Sequence, residues 1–407
     1  MKKIMVLGVG AQGSTVAKRM DEEKAVGEII CADYDEKAVN EMARSLGKAK
    51  ALKIDASKEE NIIKAAEGVD LIINALPMAY GRRVIGAALK AKTDYQDFAA
   101  CDDGLIDWVE GIRQMLTETS EEFKKIGRTA LISTGSAPGL ISVVTRKTVE
   151  ALDSCDTIYN LVWEGVEAKR FLPFWWSPAV AYADMSDPAF AYENGEIIET
   201  EPFSRPVFVK FKGHDQEIRL VEHAHDEPVE MGINADRYLK GAKNIYFKYG
   251  GVGIDFAEPL YRLGILSKTP VEIDGVDVIP RNLVIKLTPP APKYYDEIKQ
   301  IMEEGLKSDE GAMVVRAYGT LNGKKVVGET YINAPGCEEA FKRSGLTGET
   351  YLTGQCGALF TKLLVNNKLH QKGLFSPEML DLDQIDYYLS EAAKLDITTH
   401  TTIEEVK

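Results

Sequence analysis

Apolar and polar positions follow two rhythms along the chain. Up to about residue 140, short apolar runs alternate with stretches whose apolar residues recur every three or four positions. KKIMVLGV, EIICADYD, AKALKID, VDLIINALP, TDYQDFA and RTALIST read as strands. QGSTVAKRMDE, EKAVNEMARSLG, SKEENIIKAAEG, YGRRVIGAALKAK and the long DDGLIDWVEGIRQMLTETSEEFKKIG read as helices. Alternating strands and helices build a parallel sheet, because parallel neighbours need a crossover between them. The expected fold class is therefore α/β, with a Rossmann-type doubly wound parallel sheet over residues 1–140.

Beyond about residue 150 the rhythm changes to longer segments with period-two alternation, among them DTIYNLVWEGVE, EPFSRPVFVKF, NIYFKYGGVGI and AMVVRAYGTLNGKKVVGETYI. Asn194-Gly195 and Asn322-Gly323 sit between extended runs and signal hairpins. Residues 141–350 are expected to form a second, α+β domain with a mixed sheet for substrate binding and dimerisation. TYLTGQCGALFTKLLVNN and SPEMLDLDQIDYYLSEAAKL read as helices of a C-terminal segment, 351–407.

Composition narrows the function classes. A net charge of −14 disfavours nucleic acid as a partner. No apolar run approaches the roughly 18 residues of a membrane span. The first apolar run is too short for a signal peptide and ends in glycines rather than a cleavage site, so a soluble, cytoplasmic protein is expected. The five cysteines lack CxxC spacing, which fits free thiols in a reducing compartment. His223-Ala224-His225 would share one strand face, but with so few ligands in sight no metal is expected.

The chemistry-bearing motif is Gly8-Val9-Gly10-Ala11-Gln12-Gly13, between the first strand and the first helix. Gly8 makes the tight turn, Gly10 lets backbone approach a pyrophosphate, and Gly13 lets helix and strand pack closely. The helix N-terminus offers N–H groups to phosphate. Asp33 ends the second strand about 20 residues on, where an acid binds the adenosine ribose hydroxyls and repels a 2′-phosphate. NAD is therefore expected over NADP. Asp55-Ala56 ends the third strand, beside the expected adenine, although Asp55 reads equally well as a helix cap. Asn74, Leu76 and Pro77 end the fourth, beside the expected nicotinamide ribose.

With those motifs in place, the chain resembles the saccharopine dehydrogenase-like family, which includes lysine 6-dehydrogenase and saccharopine reductase. The resemblance runs through VLGVGAQG, VDLIINALP, TDYQDFA, STGSAPGL, FWWSPAVAYADMSDPAFAYENGE and TYLTGQCGALFTKLL with SPEMLD after it. It implies a chain that returns to the nucleotide domain, a homodimer, and hydride transfer between nicotinamide and a carbon bearing an amine or imine nitrogen. Two positions depart from relatives: Gln355-Cys356 replaces a proline, and Ala137 replaces an acid before Pro138-Gly139. Saccharopine reductases also tend to use NADP, without an acid at the second strand end. These points favour oxidative deamination of a small amino acid or diamine, in the lysine 6-dehydrogenase manner, over chemistry on saccharopine. The alternatives are a saccharopine dehydrogenase or reductase making or cleaving a secondary amine, and a non-catalytic NAD-binding regulator.

Candidate chemistry follows from that expectation. Asp97 is the proton-handling candidate, with Tyr95 on the same strand face; capping the next helix is its competing role. Glu164 could pair with a substrate ammonium, and Arg170 could hold a carboxylate bidentately. Trp176, or its neighbour Trp175, could wall a methylene chain. Gly135 and Pro138 form a tight turn suited to close backbone approach at the substrate pocket.

Overall fold

The structure is a computed structural model and describes residues 1–406. The chain divides into two compact units: residues 1–147 with 351–397, and residues 148–350 with 398–407.

In the first unit, strands β1 (Lys2–Leu7), β2 (Val26–Asp33), β3 (Ala49–Lys53), β4 (Leu71–Asn74), β5 (Asp94–Asp97) and β6 (Thr129–Leu131) form one sheet with a late strand, Gly373–Phe375. Every pairing is parallel. The order runs from the late strand through β6, β5, β4, β1 and β2 to β3. Ile4, Met5, Val6 and Leu7 are fully buried, as expected of a central strand covered on both faces. Chain order reverses between β1 and β4, so a crevice opens beyond their carboxyl ends. The glycine loop and Asn74–Pro77 follow those two ends.

The second unit carries a nine-stranded sheet. Ser154–Ala168 and Asn244–Gly251 run parallel at its centre, and the remaining pairings are antiparallel, giving the expected mixed sheet. Both Asn-Gly pairs turn hairpins, with Asn194 and Gly195 at φ 51° and 87° and Asn322 and Gly323 at φ 53° and 77°.

Two segments depart from the sequence expectation. NIYFKYGGVGI is extended only through Gly251, and its end opens the helix Val252–Arg262. The tail was expected to hold helices to residue 407, but Thr398–Glu405 is a strand paired with Lys324–Asn333 in the second unit. Its run of β-branched threonines suits a strand. Trp175 and Trp176 lie in a loop ahead of the helix Pro178–Ser186. Among the described residues no helix is long and apolar enough to cross a membrane. All five cysteines are buried, and none of them is in a disulfide.

Candidate active site

The glycine loop of the first unit is shaped by close approaches. Gly8 has φ 94°, and a Cβ there would sit 2.8 Å from the Ala75 carbonyl oxygen. A Cβ on Gly13 would fall 1.9 Å from the Gly8 carbonyl oxygen. Around Gly10, in contrast, the space is open to beyond 4 Å. Gly10 also caps the helix α1 (Ala11–Glu22) with no side-chain hydrogen bond, leaving the first-turn N–H groups to a ligand. The Gln12 side-chain oxygen is buried without a partner. The Asp33 carboxylate accepts from the Val9 N–H at 2.9 Å and the Asp35 N–H at 3.1 Å, which ties the acid to the loop. An open Gly10, an uncapped helix start and a fixed acid together fit a dinucleotide.

The flanking strand ends behave differently from one another. Asp55 is exposed and accepts from Ser57 through its N–H at 3.0 Å and its hydroxyl at 2.6 Å. These bonds hold its carboxyl below the usual range, and they make a local turn ahead of Glu59–Ala65. Ala56 beside it is buried. Asn74 is buried, donates to the Tyr95 hydroxyl at 3.0 Å and accepts from the Leu76 N–H at 3.2 Å. Pro77 then precedes the short turn Met78–Tyr80.

Tyr95 and Asp97 do share a face: the Tyr95 hydroxyl donates to Asp97 at 2.9 Å, and the Ser133 N–H donates to the other carboxylate oxygen at 2.8 Å. Asp97 is 3% exposed; the bond from Ser133 fastens β5 to the segment after β6, while the bond from Tyr95 stays within β5. That arrangement does not cap the next helix. Gly135 and Pro138 form a turn closed by Leu140 N–H to Gly135 O at 3.0 Å, with the Ala137–Pro138 peptide cis. Ser136 and Thr353 share a hydroxyl hydrogen bond of 2.7 Å, holding the turn to a C-terminal helix of the same unit.

The second unit gathers acids around aromatic rings. Glu164 lies on Ser154–Ala168, and its paired cross-strand neighbours are Gly251 and Gly311. Two glycines leave the sheet around Glu164 bare of side chains. Tyr249 pairs with Val162, which makes Glu164 its diagonal neighbour on the same face, and the Tyr249 hydroxyl donates to the Glu164 carboxylate. Burial, and then the charge of Glu349, push the Glu164 carboxyl up to about 8. Asp184 is pushed up to about 7, by burial against the counteracting charge of His225 and with the acids Asp226 and Asp187 adding to the rise. The Trp176 side chain hydrogen-bonds Asp184 and meets Tyr249 edge-on at 6.1 Å. Trp175 instead is core: it is 4% exposed and donates to the Val166 carbonyl at 2.9 Å.

His223 and His225 join this cluster in different charge states. Burial works against a charge on His225, but the Glu227 carboxylate outweighs it and holds the imidazolium up to about 9. His223 is held well below the ordinary histidine value by burial and by the charge on His225. Among the described residues no group of three or more side chains could hold a metal. Arg170 stands apart from the expected substrate role: its guanidinium is engaged by Glu304, with Nε donating at 2.6 Å.

Of the sequence candidates in this unit, Glu164 and Trp176 both reach the Tyr249 cluster, while Arg170 is spent on Glu304. Asp184, Tyr249 and Glu227 were missed. The one local signal was the dense HAHDE run ahead of Pro228, where the helix Glu227–Tyr238 begins.

A doubly wound sheet with a glycine loop, an acid tied to that loop and a second unit rich in buried acids defines an NAD(P)-dependent oxidoreductase. Residues 4–131 match the saccharopine dehydrogenase NADP binding domain, and residues 135–396 match the saccharopine dehydrogenase C-terminal domain. The chain belongs to the saccharopine dehydrogenase family. A carboxynorspermidine synthase of Vibrio alginolyticus is 26% identical, covering 93% of this chain and 92% of that protein. A carboxyaminopropylagmatine dehydrogenase of Synechocystis is 24% identical over 99% of this chain and 98% of its own. Saccharopine dehydrogenase (L-Glu forming) from Saccharomyces cerevisiae has the same fold, with a TM-score of 0.69 at 14% identity, covering 99% of this chain and 100% of its own.

Proposed function

We propose that this protein makes or cleaves a secondary amine joining a polyamine-type amine to a carbon chain that bears a carboxyl group, with NAD as its preferred cofactor. The observation that carries the reading is the group of acids around Tyr249 and Trp176. Glu164 and Asp184 are both raised towards neutrality by burial and by neighbouring acids, and a bound ammonium relieves both effects. Trp176 and Tyr249 add aromatic surface suited to a cation and its methylenes. The compounds named in the relatives, carboxynorspermidine and carboxyaminopropylagmatine, are amines of this kind.

In the forming direction an amine and an aldehyde lose water to give an imine. The nicotinamide, when bound, supplies the hydride that turns the imine into a secondary amine, with one proton taken up. The chain's part is to bind, orient and move protons. Glu164, protonated at neutral pH, can give its proton to the hydroxyl that leaves as water. Asp184, near its midpoint at neutral pH, can take one from the attacking ammonium. Asp33 would read the ribose, Gly8, Gly10, Ala11, Gln12 and Gly13 would cradle the pyrophosphate, and Asn74, Leu76 and Pro77 would border the nicotinamide ribose.

A substrate panel tests the reading. NADH and NADPH oxidation would be followed with 1,3-diaminopropane, 1,4-diaminobutane or agmatine, each mixed with an amino acid carrying a side-chain aldehyde. Oxidation that requires both partners is the expected result. NAD reduction with lysine or a diamine alone would instead establish the oxidative deamination of a lysine 6-dehydrogenase-like enzyme. Turnover with neither set would overturn both readings.

A further inference from the structure

The second unit buries a histidine that its surroundings leave unsatisfied. His223 is 2% exposed, and neither Nδ1 nor Nε2 has a hydrogen-bond partner. The Ala224 backbone lies near enough to favour a proton on the ring but is out of hydrogen-bonding geometry. A buried polar ring of this kind costs stability, so a folded chain that keeps one has a use for it or fills it when a ligand arrives.

Its neighbours say which ligand. The ring centroid is 4.6 Å from that of Tyr249, whose hydroxyl is on Glu164. It is 5.6 Å from His225 and 5.9 Å from Phe247. His225 stacks on Phe247 at 3.9 Å and is ion-paired to Glu227, whose second oxygen is also buried without a partner. A neutral imidazole has one acceptor nitrogen and one N–H. The ring reaches Glu164 only through Tyr249, and Asp184 lies in the same cluster with Asp226 and His225; carboxyls held above their ordinary values there are relieved by a cationic nitrogen and not by an anion. Burial first, and then the imidazolium of His225 fixed by Glu227, keep a charge off His223, and an uncharged ring can accept from an ammonium where a charged one would repel it.

We propose that His223 contacts substrate, its unpaired ring nitrogen accepting a hydrogen bond from a terminal ammonium or amine of a linear diamine-type substrate. The proposal rests on the reading of the second unit as an amine site, and it assigns a residue that reading does not need.

The test titrates 1,3-diaminopropane, 1,4-diaminobutane and agmatine calorimetrically into the full-length protein. H223F removes both ring nitrogens and keeps the aromatic volume, while H223Q keeps an acceptor. H223F should bind the tightest of the three amines about ten- to a hundredfold more weakly, the range for a hydrogen bond to a charged group. H223Q should stay within about tenfold of wild type. Both variants should keep their NADH affinity, and H223F should melt no lower than wild type, because it removes an unsatisfied polar group. With five histidines in the chain, the ring nitrogen signals can be resolved by NMR, and those of His223 should shift when the amine saturates. H223F binding within twofold of wild type, or His223 signals unmoved at saturation, would overturn the assignment while leaving the amine site standing. Wild type binding none of the three amines would sink the amine site itself, and the role of His223 with it.

Discussion

The two polar regions of this chain are built in opposite ways. In the first unit the glycine loop is shaped by backbone: Gly13 meets the Gly8 carbonyl, and the Asp33 carboxylate is held by two N–H groups. In the second unit the cluster around Tyr249 is made of side chains, several raised or lowered far from their ordinary pKa and some left without partners. Backbone donors fix an anion site before its ligand arrives. Crowded acids with few cations describe a site that its ligand completes. The first kind of site is stiff and local; the second is poised and drawn from distant segments.

The largest expected effect breaks the poised side. Glu164→Gln imitates the protonated carboxyl that the folded protein already holds at neutral pH, so the variant should fold. It removes the transferable proton, and turnover should fall by about 10²–10⁴-fold with NADH affinity unchanged. The same residue sets a pH dependence. Its carboxyl rises from 4.5 to about 8 on folding, so the stability it contributes is present below 4.5 and is lost as pH climbs towards 8. An ammonium favours the ionised form, so amine affinity should improve from pH 6 to 8, with proton release near neutrality seen in calorimetry across buffers. A flat affinity profile, or full activity in the variant, would remove Glu164 from the mechanism.

Next comes the stiff side. Gly13→Ala places a Cβ where only 1.9 Å separates it from a backbone oxygen, and backbone cannot swing away as a side chain does. Nucleotide affinity should fall by about a hundredfold, the upper range of an overpacking cost of ~3 kcal/mol. Fluorescence titration with NADH measures it, and wild-type affinity would mean the loop does not hold the cofactor. A smaller change is expected at Asp33. Asp33→Ser removes the charge that repels a 2′-phosphate but keeps an oxygen for the ribose, so the NADP-to-NAD ratio of kcat/KM should rise about tenfold or more. An unchanged ratio would show that Asp33 braces Val9 and Asp35 without reading the ribose.

The same contrast explains what was legible in the sequence. The glycine loop and Asp33 are contiguous motifs set by strand and helix periodicity, so their positions could be read directly. Asp55 was ambiguous because a cap and a ligand use the same residue type; its bonds to Ser57 make a local turn, and the helix that follows has Lys58 at its N-cap with no side-chain bond. The second unit was harder. The helices Pro178–Ser186 and Val252–Arg262 carry Pro, Gly and small residues that blur a helical period. Its cluster joins residues from Glu164 to Glu349 across strands, helices and loops, and no single stretch announces that geometry. Glu164 and Trp176 could be named from residue type, but Tyr249 could not: its role depends on the register that sets it diagonal to Glu164.

The smallest expected effect concerns Arg170, and it sharpens where the poised region ends. A guanidinium near the substrate domain invites a carboxylate-binding role, since its planar fork matches a carboxylate. Here that fork is filled by Glu304, and both side chains are partly open to solvent. An exposed pair of this kind is screened by water and salt. Opening it for a substrate would gain little, because one carboxylate would replace another. Arg170→Ala should therefore leave KM for the carboxyl-bearing substrate within about twofold and hardly move the melting temperature. A tenfold rise in KM with kcat unchanged would mean that Glu304 yields its partner to substrate, and would extend the functional region from the Tyr249 cluster to the Arg170–Glu304 pair.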